Sequence, residues 1–100
     1  MPGLEVAGTV RAIGAEVDGF TPGDRVLALT NSGGLAQQAL AAAALTVRIP
    51  DGVPAEIAAV VPGAMTTAHL LLHHFGRIRS GDNIVVHSAS GAVGSAVAQL

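Results

Sequence analysis

Ile84-Val85-Val86 runs directly through His87 into Ser88-Ala89-Ser90-Gly91-Ala92-Val93-Gly94, and then into Ser95-Ala96-Val97-Ala98. A continuous apolar run of this length, bounded by turn residues, suits a parallel strand buried on both faces. Two glycines three positions apart, followed by small helix formers, describe a close passage from strand to helix. The end of the sequence therefore has to fold as a strand, a tight turn and a helix start, which is α/β geometry.

Set against the pattern G-x-G-x-x-G, the turn is Ala89-Ser90-Gly91-Ala92-Val93-Gly94. The second position must lack a side chain for backbone to approach a pyrophosphate, and the third lets the helix press on the strand. Both are glycine here, while the first is alanine. Free N–H groups at the helix start would face the phosphates. On spacing alone an ordinary strand-to-helix connection built from small residues serves equally well, and both readings stay open. A lysine-containing phosphate loop is excluded, because the chain has no lysine.

The first third reads differently. Glu5 to Ile13, EVAGTVRAI, is roughly alternating and predicts a strand, with Gly8 marking a bulge or a close backbone approach. Thr21-Pro22-Gly23-Asp24 is turn chemistry, proline fixing φ at the first corner and glycine supplying positive φ at the second. Arg25 to Leu29 is a second strand, closed by Asn31-Ser32-Gly33-Gly34. Leu35 to Leu45 is ambiguous between helix, from its alanines, and further strand, from the turns around it. Thr46 to Ile49 is strand-like. From Pro54 the pattern becomes helical, with proline at a first helical position and Glu56 in the first turn. Pro62-Gly63 is expected to break that helix. A second helix then covers Ala64 to Phe75, with Met65, Ala68, Leu72 and Phe75 on one face and Gly76 as its cap.

At 100 residues the chain is within single-domain size. Half of it is apolar and 12% is charged, and the apolar residues are mostly Ala, Val and Leu, so the core pieces are small and need close packing. Net charge is -2, and the five basic residues, all arginine, are scattered, which gives no nucleic-acid footprint. Arg77 and Arg79 form a basic pair that reads as a solvated helix end. Absence of cysteine excludes disulfides and thiolate chemistry. No apolar stretch reaches about 20 residues and no signal peptide is present, so a cytoplasmic setting is expected.

His69 and His73 stand four apart on the second predicted helix, one face presenting two imidazoles, with His74 adjacent. A metal centre of the usual kind needs a third ligand and a positioned acid, and Leu70, Leu71 and Leu72 fill the interval between them. No metal is expected, and the histidines read as helix-surface or domain-junction residues.

The stretches GLEVAGTVRAIG, FTPGDRVLAL, VRIPDGVPAEIAAVVPGAMTTAHLLL and SGDNIVVHSASGAVGSAVAQL follow one another as in the medium-chain dehydrogenases/reductases, which nearly the whole chain resembles. The branch it is most similar to comprises zinc-free quinone oxidoreductases and the enoyl reductase domains of polyketide synthases. The resemblance implies an α/β chain with a β-rich N-terminal part: a partial GroES-like barrel (1–53), connecting helices (54–80) and the first β-turn-α of a Rossmann dinucleotide-binding fold (81–100). It implies an NADPH-dependent reductase that transfers hydride to an activated C=C or quinone, of which this chain looks like an internal slice, inactive by itself. The residue that separates NAD from NADP is expected about 20 residues beyond the glycine turn, past Leu100, so NADPH comes from the family branch. A non-catalytic remnant or partner-binding piece is the alternative, and exposed strand edges leave self-association open.

The resemblance also distributes roles. Zinc-dependent members carry Gly-His-Glu where this chain has Gly3-Leu4-Glu5, and leucine cannot ligate zinc. Thr67 matches a threonine near the nicotinamide end of the cofactor; taken alone it is equally a helix threonine bonding back to the preceding turn. The expected cofactor contacts are Thr67, Ala89, Ser90, Gly91, Ala92, Val93 and Gly94. His69 stands where the family often has an aromatic residue, commonly tyrosine. No residue is assigned as proton donor, and His87 is expected to pack beside the turn. The expected partner is a small-molecule substrate of the full-length parent.

Overall fold

The turn-rich first half of the sequence folds into three antiparallel strands, β1 (Glu5–Thr9), β2 (Arg25–Leu29) and β3 (Thr46–Arg48), in the spatial order β1-β2-β3. In the computed structural model, which describes residues 1–100, Glu5 pairs with Leu29, Thr9 with Arg25, and Val26 with Arg48. The chain divides into two units, Met1–Pro62 and Gly63–Leu100.

The turn that feeds β2 forms as its residues require. Asp24 N–H donates to the Thr21 carbonyl at 3.1 Å across Pro22 and Gly23, the latter at φ +100°. The Asp24 carboxylate accepts from Thr21 N–H at 2.8 Å and from the Arg48 guanidinium at 2.8 Å. Arg48 also donates to the Gly19 carbonyl and lies 5.2 Å from the centre of the Phe20 ring. Thr21 N–H above all, then Arg48, holds the Asp24 carboxyl below its ordinary pKa of 3.8. Val10 extends the pairing past β1, its N–H donating to Asp24 O and its carbonyl accepting from Gly23 N–H, both at 2.9 Å.

The N-terminal residues are held against the segment after β2. Thr30 donates through N–H to Leu4 O at 2.7 Å and through its hydroxyl to Gly3 O at 3.0 Å, and Gly34 N–H donates to Gly3 O at 2.9 Å. A Cβ on Gly3, at φ +96°, would run into the backbone of Gly34 and Leu35; one on Gly34 would lie 2.8 Å from a Val6 methyl. Both positions are closed to larger residues.

Three expectations for this unit are corrected. β1 stops at Thr9, with one further pairing at Val10, instead of reaching Ile13, because the strand opposite it gives way to the Thr21–Asp24 turn. Gly8 makes no bulge: it pairs in register with Val26, and a Cβ there would meet nothing within 4 Å. Leu35 to Leu45 is neither helix nor strand; it is irregular up to a single 3₁₀ turn, Ala43–Leu45. Alanine content cannot nucleate a helix that has no apolar stripe to bury, and Leu40 in this segment is 96% exposed.

Pro54 is extended (φ −63°, ψ 147°) and sits before helix α1 (Ala55–Ala58), which packs on β1, so it precedes the first turn instead of occupying it. The break between the two helical stretches falls at Ala59 and Val60, a turn that follows the end of α1 at Ala58, and not at Pro62-Gly63. A π-helical turn, Val61–Met65, carries the backbone through, since a wide turn tolerates a residue with no N–H to donate. Helix α2 (Thr66–His69) follows and runs into a second π-helical turn, Leu70–Phe75. Ala68 and Leu72 are buried, but Phe75 is 70% exposed, because widening the turn rotates it off the face that an α-helical count predicts.

Gly76 ends this helix for a reason other than left-handed geometry. Its φ is −73°, and the left-handed position falls to Arg77 at φ 49°. Glycine is needed because a Cβ there would lie 2.7 Å from the Leu71 carbonyl oxygen. Arg79 to Asp82 then repeats the Thr21–Asp24 turn: Gly81 has φ +95°, Asp82 N–H donates to Arg79 O at 3.0 Å, and Arg79 N–H donates to the Asp82 carboxylate at 2.7 Å.

Ile84-Val85-Val86 belongs to no strand, which corrects the buried parallel strand expected there: no other segment pairs with it, and Val85 is 87% exposed. A strand is defined by its neighbour, and an apolar triplet without one is only an unpaired run. Helix α3 (Ala92–Val97) closes the described residues and packs against α2. The buried apolar residues are Ala28, Ile49, Ala58, Ala68, Leu72 and Ala96. No helix is long and apolar enough to cross a membrane.

Candidate functional site

Ser88 sets the glycine turn. It is left-handed (φ 55°), a conformation that non-glycine residues adopt uncommonly. Its carbonyl accepts from Gly91 N–H at 2.9 Å. Gly91 is extended (φ −76°, ψ 171°) and begins α3 with no side-chain cap.

Gly94 lies buried in the first turn of α3, directly over the Ser88 carbonyl. A Cβ on Gly94 would collide with that oxygen and sit 2.8 Å from Ala89 Cα. At Gly91 the same atom would lie 3.2 Å from Ser88 O. The two glycines thus do different work: Gly94 lets the helix close onto the turn, and Gly91 keeps the mouth of the turn free of a side chain. The N–H groups of Ala92, Val93 and Gly94 have no acceptor within the chain, as the opening of an uncapped helix leaves them. Ala89 to Ala92 are exposed and Val93 is half-buried.

Behind the turn lies an open, mainly apolar cavity of about 550 Å³, with walls that include Leu72, Ile78, Val86, Gly94 and Val97. Thr67 is exposed on α2 and belongs to the same unit as the turn. His87 is exposed and contributes to the cavity wall beside the turn.

His69 and His73 come together, their ring centres 4.6 Å apart, while His74 is drawn aside against the edge of Phe75 at 5.0 Å. No group of three His, Cys, Asp or Glu side chains is placed to hold a metal ion. Leu4, in the Gly3-Leu4-Glu5 stretch, is 60% exposed. Sequence reasoning missed Ser88, whose left-handed backbone shapes the turn; serine carries no signal for that conformation, and only the collision at Gly94 exposes its role.

The family model for the alcohol dehydrogenase GroES-like domain matches residues 1–60. The chain belongs to that family. Its relatives place it among the medium-chain dehydrogenases/reductases, on the quinone oxidoreductase and enoyl reductase side. An erythronolide synthase from Saccharopolyspora erythraea is 46% identical over 98% of this chain and 3% of its own length. A quinone oxidoreductase from Sus scrofa is 40% identical over 99% of this chain and 30% of its own.

Solved structures agree with this GroES-like assignment. The human synaptic vesicle membrane protein VAT-1 homolog-like protein superposes with a TM-score of 0.95 at 39% identity, over 98% of this chain and 32% of that one. The CurK enoyl reductase does so at 0.92 and 32% identity, over 97% and 29%. A mycobacterial protein solved in complex with NADPH does so at 0.91 and 38% identity, over 97% and 31%. The chain thus spans about a third or less of the proteins it matches.

Proposed function

We propose that this GroES-like chain is part of a nicotinamide-dependent reductase, that NADPH is its cofactor, and that hydride passes to an activated C=C or a quinone. In this reading residues 1–53 belong to the catalytic barrel, 54–80 connect it to the second domain, and 81–100 begin a Rossmann dinucleotide-binding domain. The observation that carries it is the turn Ser88 to Gly94. Gly94 is sterically obligatory, Gly91 leaves the surface bare, and three consecutive N–H groups lack acceptors, which fits a diphosphate. A relative of the same fold bound to NADPH supports the choice of cofactor.

When bound, the nicotinamide supplies the hydride; the protein's share is to bind, orient and exclude water. Ala89 to Gly94 would hold the diphosphate through backbone N–H groups, and the absence of side-chain atoms at Gly91 would allow close approach. Thr67, exposed on α2, would contact the nicotinamide end. No residue of the chain is given the role of proton donor. One glycine turn supplies a phosphate cradle without the adenine and ribose walls that later strands provide, so we expect no turnover from the 100-residue chain.

The test is a thermal-unfolding scan with and without millimolar NADPH, alongside a Gly91→Trp variant. A ligand at 100 times its Kd adds about 2.7 kcal/mol to the folded state. An upward shift present in the wild type and absent in Gly91→Trp supports the cofactor site; equal shifts in both refute it. NADPH consumption above the level of the Gly91→Trp variant overturns the expectation of inactivity. A second reading, a non-catalytic piece that associates with another chain, is favoured by the unpaired Ile84-Val85-Val86, in which Ile84 and Val85 are exposed. It gains support if NADPH leaves the transition unmoved while sedimentation shows concentration-dependent association.

A further inference from the structure

We infer that His69 and His73 form a two-histidine chelate for a borderline divalent transition-metal ion, of the class of Ni²⁺, Cu²⁺ or Zn²⁺. The lack of a third ligand rules out a closed structural or catalytic centre. It leaves the geometry of the pair itself, which suits a shared cation completed by water. Metal–imidazole bonds of about 2.0–2.1 Å, at angles between square and tetrahedral, put ring centres roughly 4.5–5.2 Å apart; here they are 4.6 Å apart. The rings are tilted by 53° and not stacked flat on one another.

Position in the helix explains why the pair is formed in advance. His69 is the last residue of α2 and His73 lies in the π-helical turn Leu70–Phe75. Both a regular and a widened turn keep residues four apart on nearly the same side, so the change of helix type at Leu70 does not separate them. Leu72, between them in sequence, is buried and pins the turn, while both histidines are exposed and open to water and ions. His74 is turned against Phe75 and takes no part. Imidazole selects this class of ion over Mg²⁺ or Ca²⁺, which prefer oxygen.

Calorimetric titration of the metal-free 100-residue chain with Ni²⁺ tests this. We expect one ion per chain and a loss of roughly tenfold or more in affinity in both His69→Ala and His73→Ala, since the second imidazole binds at high effective concentration. His74→Ala is expected to stay within about twofold of the wild type. Paramagnetic broadening of histidine ring protons by substoichiometric Ni²⁺ gives a readout on the wild type alone, and should select His69 and His73 over His74 and His87. Binding no tighter than a single imidazole, an equal loss in His74→Ala, or broadening that spares either His69 or His73 overturns the assignment. None of these readouts depends on nicotinamide binding.

Discussion

Glycine carries opposite meanings at different positions of this chain. Gly94 has no room for a methyl group, because the Ser88 carbonyl fills the space; Gly8 faces open space in an extended strand. Gly94→Ala should cost about 1–3 kcal/mol, as overpacked sites do. Gly8→Ala should be neutral or stabilise by about 0.5–1 kcal/mol, as glycine in a strand interior is disfavoured relative to alanine. Urea denaturation of the two variants checks both, and a destabilised Gly8→Ala beside an unaffected Gly94→Ala would reverse the argument. Sequence pattern distinguishes the two only in part. Spacing pointed to Gly94, but at Gly8 it suggested a bulge, since a glycine letter does not reveal whether its missing side chain is forbidden or merely absent.

Turns were the most legible elements, because their chemistry is local. Thr21-Pro22-Gly23-Asp24 forms the expected bend, and Arg79-Ser80-Gly81-Asp82 repeats its hydrogen bonds. Elements that depend on distant partners were not legible. Ile84-Val85-Val86 has the composition of a buried strand and no neighbour, and Leu35 to Leu45 has the alanines of a helix and no surface to bury them against. Phe75 left its predicted face because nothing in LLLHHF announces a π-helical turn. The Asp24 turn also has a defined acid response. Its carboxyl pKa is lowered in the folded state, chiefly by Thr21 N–H and then by Arg48. The associated stability is therefore present above the unfolded carboxylate value and lost as pH falls through the folded one. The wild type should lose stability below about pH 4 more steeply than Asp24→Asn, as denaturant midpoints measured down to pH 2 would show. Parallel pH profiles for the two proteins would remove Asp24 from the account.

At the scale of the whole molecule, the four ordered motifs identified a family that local reasoning could not, and the match to the GroES-like domain over residues 1–60 bears that out. Substrate, cofactor preference and proton donor lay outside sequence reasoning because no side chain in these residues carries a signal specific to any of them. The buried apolar set has a consequence of its own. Four of its six members are alanine, and no large side chain is fully enclosed. Cohesion therefore rests on backbone contacts such as Gly3 against Gly34 and Gly94 against Ser88, more than on hydrocarbon withdrawn from water. Unfolding then adds little new apolar surface to the solvent, and its heat-capacity increment should fall below the 1.2–1.5 kcal/mol/K typical of about 100 residues. The stability curve of this chain should be correspondingly flat, with the fold responding weakly to cooling and melting over a broad range of temperature.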